Sequence, residues 1–297
     1  MKGFPIEVSA PTRVDLAGGT LDIPPLYLFH QPAYTINVAI ELRARVRLTL
    51  RGRGVSLASE DWKKRVRASS LEHLSARKHP RLALLIYAIK QYGREGIHLE
   101  TEIEAPTGAG LGGSSALAIG IISALSLAQS GNLPPEEVTI RRARGVETQA
   151  LGVPTGYQDY YSAYYGGVNI LQFTPEGVER ETVYSPDFLQ QIEDFLLLVY
   201  TGKPHFSGAN NWALFRDHME GEKRTIRFFE QLKENARGMR ESVLKRDIEQ
   251  MGYWMRRDWD TRRKMLREMS TERIDLLVHK ARQMGSLGER VCGAGGG

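Results

Sequence analysis

The sequence predicts an α/β (α+β) fold in two parts, a mixed strand-and-helix half followed by a helix-rich half. Three observations carry that prediction. Strand-like runs of alternating or β-branched residues recur through the first hundred or so positions. A glycine-rich stretch, Pro106-Thr-Gly-Ala-Gly-Leu-Gly-Gly-Ser-Ser-Ala116, stands between a strand pattern and a helix pattern. Residues 206–284 are dominated by long helical patterns.

In chain order, Ile6–Ala10, Tyr34–Ile40 and Ala44–Leu50 read as strands, and Arg81–Tyr92 as a helix before Gly93. Ile97–Ile103 alternates apolar and polar side chains, the period of a half-buried strand. Ala116–Leu125 is almost wholly apolar and free of proline, so it reads as a buried helix. Another helix starts at Pro134-Pro-Glu-Glu137, with prolines in its first turn and acids at its positive end. It runs to about Leu151, where Gly152 and Pro154 stop it. Phe195–Tyr200 is a strand-like apolar run leading into Thr201-Gly-Lys203. Turn signals at Thr174-Pro-Glu-Gly177 and Ser185-Pro186 divide the chain into domains 1–184 and 185–297.

With 297 residues, 41% hydrophobic and 25% charged, the chain has material for one large or two ordinary domains. Cys292 is the single cysteine, which excludes an intramolecular disulfide and fits a reducing cytoplasm. No run of about 18 apolar residues predicts a membrane span, and the N-terminus lacks a signal-peptide core. The expectation is therefore a soluble cytoplasmic protein. A net charge of +5 and a pI near 9.2 suit anionic ligands such as ATP or sugar phosphates, and would equally suit nucleic acid. The basic residues at 141–144 and 256–264 have helical spacing with acids among or beside them, which describes a solvated helix face.

The glycine-rich stretch is the main chemical signal. Small residues let backbone N–H groups approach an oxyanion closely and deliver it to a helix N-terminus. It has no Gly-Lys-Ser/Thr ending, so it is no Walker loop; Gly108-Ala-Gly-Leu-Gly-Gly113 has the spacing Gly-x-Gly-x-x-Gly, but without the βαβ unit and the acidic residue after its next strand that complete the dinucleotide-binding fingerprint. Of the paired serines, one can cap the helix while the other coordinates Mg2+ or a phosphate; capping alone is the competing explanation for either. A second block, Ala10-Pro-Thr-Arg-Val-Asp-Leu-Ala-Gly-Gly-Thr-Leu-Asp-Ile-Pro-Pro25, gathers Arg13, Asp15 and Asp22 around Gly18-Gly19. Its carboxylates suit ligand hydroxyls, or else they cap a turn. A third block runs from Glu147 through Gly152-Val-Pro-Thr-Gly156 to Asp159. Phosphoryl transfer needs one carboxylate near Mg2+ and another group to orient the attacking hydroxyl, and two acids flanking a loop could divide those roles.

These blocks, in this order, resemble the GHMP kinase superfamily. Pro106–Ala116 matches its second motif, Pro-x-x-x-Gly-Leu followed by small residues and serines, and Val291-Cys-Gly-Ala-Gly-Gly-Gly297 resembles its third. The first block is most similar to the anomeric sugar-kinase branch, D-glycero-D-manno-heptose 7-phosphate kinases and fucokinases. Gly156-Tyr-Gln-Asp159, Tyr164-Tyr-Gly-Gly167, Val199–Lys203 and Trp259 ahead of Arg262 are similar to that branch too. The resemblance implies a ribosomal-protein-like N-terminal domain, a ferredoxin-like, helix-rich C-terminal domain, and a site between them.

By position, the resemblance makes Asp159 the catalytic acid/base and Arg13 its partner. It places Pro106, Gly108, Gly110, Leu111, Gly112, Gly113, Ser114 and Ser115 around the nucleotide phosphates, and Ser114 with Glu147 on Mg2+. Asp22, Asp15, Gly18, Gly19, Gly156, Gly293 and Gly295 are assigned to the substrate. The implied cofactors are ATP and Mg2+ and the implied partner is a small sugar or sugar phosphate, with no nucleic acid and no membrane; no oligomeric state is implied.

The chain departs from the pattern in three places. It stops inside the third glycine run, so the C-terminal domain is expected to be shortened at its end. Gly288-Glu-Arg290 stands where the branch often has Gly-Gly-Lys, and Lys203-Pro-His205 where some heptose kinases have Lys-x-Arg. A substrate phosphate would want Lys203, His205, Arg262 or Arg263. The competing readings are a kinase of an unphosphorylated sugar such as fucose, an inactive sensor of the same fold, and an RNA-binding protein. Against the last, no basic stripe is interleaved with exposed aromatics. Trp254, Trp259 and Cys292 are given packing roles, and the histidines lack zinc-site spacing.

Overall fold

The computed structural model describes residues 4–202 and 208–293, with the side chains of 208–211 left aside. Its first half is built on β1 (Ile6–Ala17), α1 (Leu26–Phe29), β2 (Ala33–Leu50), β3 (Val55–Ser59), β4 (Lys64–Ala68), α2 (Ala83–Tyr92) and β5 (Ile97–Ile103). It continues with α3 (Gly113–Ser130), α4 (Glu136–Leu151), α5 (Gln158–Tyr165), β6 (Val168–Phe173) and β7 (Val178–Thr182). The second half consists of α6 (Pro186–Phe195), α7 (Gly208–Met219), α8 (Lys223–Lys245), α9 (Ile248–Met265) and α10 (Glu272–Gln283), joined by a short 3₁₀ turn.

Among the described residues, seven strands form one sheet, ordered β4-β3-β5-β2-β6-β7, with β1 paired to β2. The spine is β2, which the sequence divides into two strands but the structure runs through without a break. One edge of β2 pairs with β1; on the other, β5 takes the C-terminal half and β6 the N-terminal half. Across Glu41-Leu42-Arg43 the apolar alternation fades and the ladders are interrupted: the register with β1 shifts between Pro11 and Thr12, Thr12 Oγ1 donates to Leu42 O at 2.7 Å, and Glu104 N donates to Arg43 O at 2.9 Å.

Helices cover the whole of one sheet face. There α2, α3, α4 and α5 pack on Val46, Leu48, Leu57 and Leu99. Apolar on all sides, α3 is buried between the sheet and its neighbouring helices. Its 18 residues, of mean hydropathy 1.3, meet the length and composition of a membrane span, contrary to the sequence expectation, but 67% of them are buried inside the fold as a core helix. On the opposite face only the β1–β2–β6 end is covered: Leu16, Ile36, Val38 and Ile170 meet Phe188 of α6, Ala236 and Met239 of α8, and Met251 of α9. The β3–β4–β5 end of that face is open to solvent, with Arg65, Arg67 and Glu100 exposed.

Caps set the helix limits where the sequence signals them. Glu136 and Glu137 occupy the first turn of α4, and Gly152 ends it in the left-handed region. Ser185 and Asp247 accept from the third residue beyond them at the starts of α6 and α9. The expected strand Phe195–Tyr200 is not formed. Phe195 closes α6 and residues 196–200 have no regular structure, because no described segment lies alongside to take up the ladder hydrogen bonds. Described residues beyond Thr182 are helical or irregular, so the helix-rich character of the second half is seen without the strands of a ferredoxin-like arrangement.

Candidate active site

The glycine loop before α3 presents backbone in place of side chains. Gly110 and Gly112 lie at φ +74° and +72°, a region glycine enters without strain. A Cβ at Gly110 would collide with the Cys292 carbonyl oxygen, and one at Gly112 would stand 3.1 Å from Asp159 Cγ. No side chain caps α3, so both serines are free of the role that competed with ligand binding. The first-turn amides are left for an anion. Pro106 and Ser114 are exposed, Gly108, Gly110, Gly112 and Gly113 half-buried, and Leu111 and Ser115 buried.

Arg13 ties this loop to α5. Its backbone N–H donates to Leu111 O at 3.0 Å, and Nη1 donates to Gly110 O at 2.5 Å. Its Nε donates to Asp159 Oδ1 at 2.8 Å, and Nη2 lies 2.7 Å from the same oxygen. Burial works against the Arg13 charge, but Asp159 and Asp15 outweigh it and raise its pKa above the ordinary arginine value. Asp159 keeps 25% of its side chain exposed, so the carboxylate stands at the mouth of the loop.

Glu147, from α4, lies behind α3 and is buried. Its Oε2 accepts from Ser115 Oγ and from Tyr160 OH, both at 2.7 Å, and the Ser114 hydroxyl also reaches the carboxylate. Burial pushes Glu147 above the ordinary carboxylate pKa, while the Ser115, Tyr160 and Ser114 hydrogen bonds pull the other way. A buried carboxylate beside two hydroxyls is a hard-oxygen donor set, which fits Mg2+. Among the described residues no cluster of three or more His, Cys, Asp or Glu could cage a metal. The resemblance placed Ser114 with Glu147; the structure brings Ser115 to that carboxylate as well, since α3 turns Ser115 inward and leaves Ser114 exposed, and adds Tyr160, which sequence reasoning did not name.

The residues assigned to the substrate lie deeper. Asp22 Oδ2 accepts the backbone N–H of Tyr157 at 2.7 Å and of Gln158 at 2.9 Å, at the start of α5, and its carboxylate fills the space over Gly156. Burial, opposed by those two bonds, pushes its pKa up to about 6. The capping explanation therefore describes this oxygen. Asp15 is 1% exposed and Oδ2 pairs with Arg290 Nη2 at 2.6 Å, so it faces an arginine and not an open pocket. Asp258 Oδ1 accepts from Gly18 N at 3.3 Å, and Arg262 Nη2 donates to Gly19 O at 2.5 Å. Arg262 Nε bonds Asp258 Oδ2 at 2.6 Å, and Arg290 Nη1 lies 3.1 Å from that same oxygen.

This network occupies Arg262, one of the four residues offered for a substrate phosphate. Arg263 pairs with Asp275 at 3.0 Å along a separate cleft of about 540 Å3 between the ends of α8, α9 and α10. Lys203, His205 and Gly295 lie outside the described residues. Gly293 packs its backbone on Gly110. Asp258 and Arg290 were not anticipated. The first was legible as the i, i+4 partner of Arg262, the second only as an arginine replacing a lysine.

Residues 81–167 match the model of the GHMP kinases N terminal domain. The chain is similar to the GHMP kinases, with the match carried by their N-terminal domain. The chain is 26% identical, over 98% of its length, to the D-glycero-alpha-D-manno-heptose 7-phosphate kinase of Campylobacter jejuni, covering 87% of that protein. It is equally similar, at 26% over 98% of the chain, to the bifunctional fucokinase/GDP-fucose pyrophosphorylase of Arabidopsis thaliana, but spans only 29% of that protein's length. Its fold is shared with a D-glycero-D-manno-heptose 1-phosphate kinase from Bacteroides thetaiotaomicron, at a TM-score of 0.76 and 21% identity over 98% of this chain and 86% of that one.

Proposed function

We propose that this chain is an ATP-dependent kinase acting on a sugar hydroxyl, with the anomeric hydroxyl of a heptose 7-phosphate as the leading acceptor. The observation that carries the reading is the junction of Asp159, Arg13 and the Gly110–Gly112 turn, which sets a partly exposed carboxylate and a permanent cation beside amides open to phosphate. In this reading the sugar oxygen attacks the γ-phosphorus in line, its O–H bond breaks, and the bond to the bridging oxygen of ADP breaks. Asp159 orients that hydroxyl and accepts its proton as the bond to phosphorus forms. Arg13 holds Asp159 and, with the loop amides, faces the charge on the transferring group. Glu147 with Ser115 and Ser114 would hold Mg2+, which when bound supplies charge neutralisation between the phosphates.

We place the substrate beyond Asp159, toward Gly18, Gly19, Gly156 and the third glycine run, and divide the domains at residues 184 and 185, just past the last strand. The similarity to the Campylobacter jejuni kinase supports the phosphorylated heptose, and the similarity to the Arabidopsis thaliana protein supports fucose as the second reading. ADP release measured with heptose 7-phosphate, fucose and galactose separates them. A higher kcat/KM for the phosphorylated heptose is expected. Equal rates with fucose would shift the substrate, and nucleotide binding without turnover on any sugar would leave only a sensor.

A further inference from the structure

The open end of the sheet carries charge in a pattern unlike the rest of the same face. Toward the middle of β2, Arg43 and Arg45 are answered by Glu104, which accepts the Arg43 backbone N–H at 2.8 Å and Arg45 Nη2 at 2.5 Å. Arg47 lies 3.5 Å from Glu7 on the neighbouring strand. Farther along, acids give way to cations. One cross-strand row reads Thr49, His98, Ser56, Arg67, and the next reads Arg47, Glu100, Ala58, Arg65. With Arg51 at the end of β2, these strands enclose a concavity of about 340 Å3. Glu100 is the single acid lining it, and Arg51, Arg65 and Arg67 have no ion-pair partner among the described residues.

We propose that this concave sheet face is a second binding site, for a compact anion bearing two or more phosphoryl groups. Guanidinium groups gathered round one concavity with a single acid among them repel one another, and an anion seated between them relieves that repulsion. Guanidinium groups take oxyanions through paired N–H donors, and three of them lie here without a protein acceptor. The volume is at the lower end of small-ligand sites and the lining is almost wholly polar, which suits a small, highly charged molecule. No tryptophan, tyrosine or phenylalanine lines the concavity and His98 is its single ring, so successive stacked bases of a single-stranded nucleic acid find no platform. Trp62, in the β3–β4 turn, lies under Arg81 instead, 5.2 Å from its guanidinium. The competing explanation is that arginines on the edge strand β4 only guard against sheet-to-sheet association.

The test titrates inorganic tripolyphosphate and a sugar bisphosphate, as separate arms, into the protein at fixed ionic strength with its nucleotide site saturated by a non-hydrolysable ATP analogue. Binding by the wild type is expected, and the more tightly bound arm identifies the source of the phosphates. The double variant Arg65→Ser/Arg67→Ser is expected to weaken it at least tenfold with nucleotide affinity unchanged. Arg51→Ser, outside the edge strand, is expected to weaken it severalfold and serves if the double variant does not fold. Undiminished affinity in the variants overturns the proposal. So does complete competition by nucleotide, aggregation of the double variant with anion binding intact, or tighter binding of a short single-stranded RNA than of either phosphate probe.

Discussion

Two glycine turns frame the site, and they are held in opposite ways. At Gly110–Gly112 the backbone faces an uncapped helix start, Ser114 is exposed, and the one charged pair nearby leaves the Asp159 carboxylate partly in solvent. At Gly18–Gly19 the backbone is gripped by Asp258 and Arg262, which with Asp15 and Arg290 form a nearly solvent-free alternation of two acids and two arginines. The first turn is shaped to receive a charge from outside. The second already has its charges satisfied from within, by residues more than 230 positions away. Preorganisation therefore rests on glycine backbone tied down by Arg13 at the phosphate end, and on a closed network of buried ion pairs at the other.

Removing the Asp159 carboxylate should have the largest effect. Asp159→Ala is expected to lower kcat about 10²–10⁴-fold, the usual worth of a positioned acid/base group, while the affinity for a non-hydrolysable ATP analogue, read by calorimetry, stays within about threefold of wild type. Turnover near the wild-type rate would show that the exposed carboxylate does not serve the chemistry. At the clamped turn, Arg290→Ala leaves Asp15 without its cation in a dry interior, while Asp258 keeps Arg262. The cost of such a broken buried pair is about 3–5 kcal/mol, measured as a fall in the urea midpoint. A variant as stable as wild type would mean that the network is not what fixes Gly18–Gly19. Glu147→Gln sits between the two regimes, since Glu147 is buried like the clamp but aimed at the phosphate end. The expected result is a rise of about 10–100-fold in the Mg2+ concentration for half-maximal activity, with the fold retained by far-UV circular dichroism. An unchanged metal requirement would remove Glu147 from the ion.

The contrast also explains what was legible in the sequence. The glycine loop, the strand before it and the helix after it are local signals, set by backbone freedom and by apolar period, and Ile97–Ile103 and α3 follow them. Arg13 meeting Asp159 depends on two elements 146 residues apart, and neither composition nor period carries that distance. The resemblance did, because the motifs occur in a fixed order. The protein partners of Asp15 and Asp22 were not legible for a physical reason: near Gly18-Gly19 a short carboxylate is as good a cap or ion-pair partner as a ligand, and the partners found, Arg290 and the α5 amides, lie far along the chain. The run Phe195–Tyr200 misled for the related reason that β-propensity without a neighbouring strand forms no ladder.

The smallest expected effect tests whether Asp22 belongs to the clamp. Its pKa near 6 in the folded protein lies above that of an ordinary carboxylate, so between about pH 4 and pH 6 the folded state holds a proton that the unfolded chain has released. Stability contributed by this group is full below the unfolded pKa and is lost as pH rises through the folded one. From pH 5 to pH 7 the loss is about 1 kcal/mol. Asp22→Asn retains an oxygen for the Tyr157 and Gln158 amides but cannot ionise, so its stability should be flatter over that interval, read from urea midpoints at pH 5, 6 and 7. Parallel curves for the two proteins would show that Asp22 is not held protonated by burial. If they are joined by a raised KM for the sugar, the carboxylate faces substrate after all, and the second turn would be open in the same sense as the first.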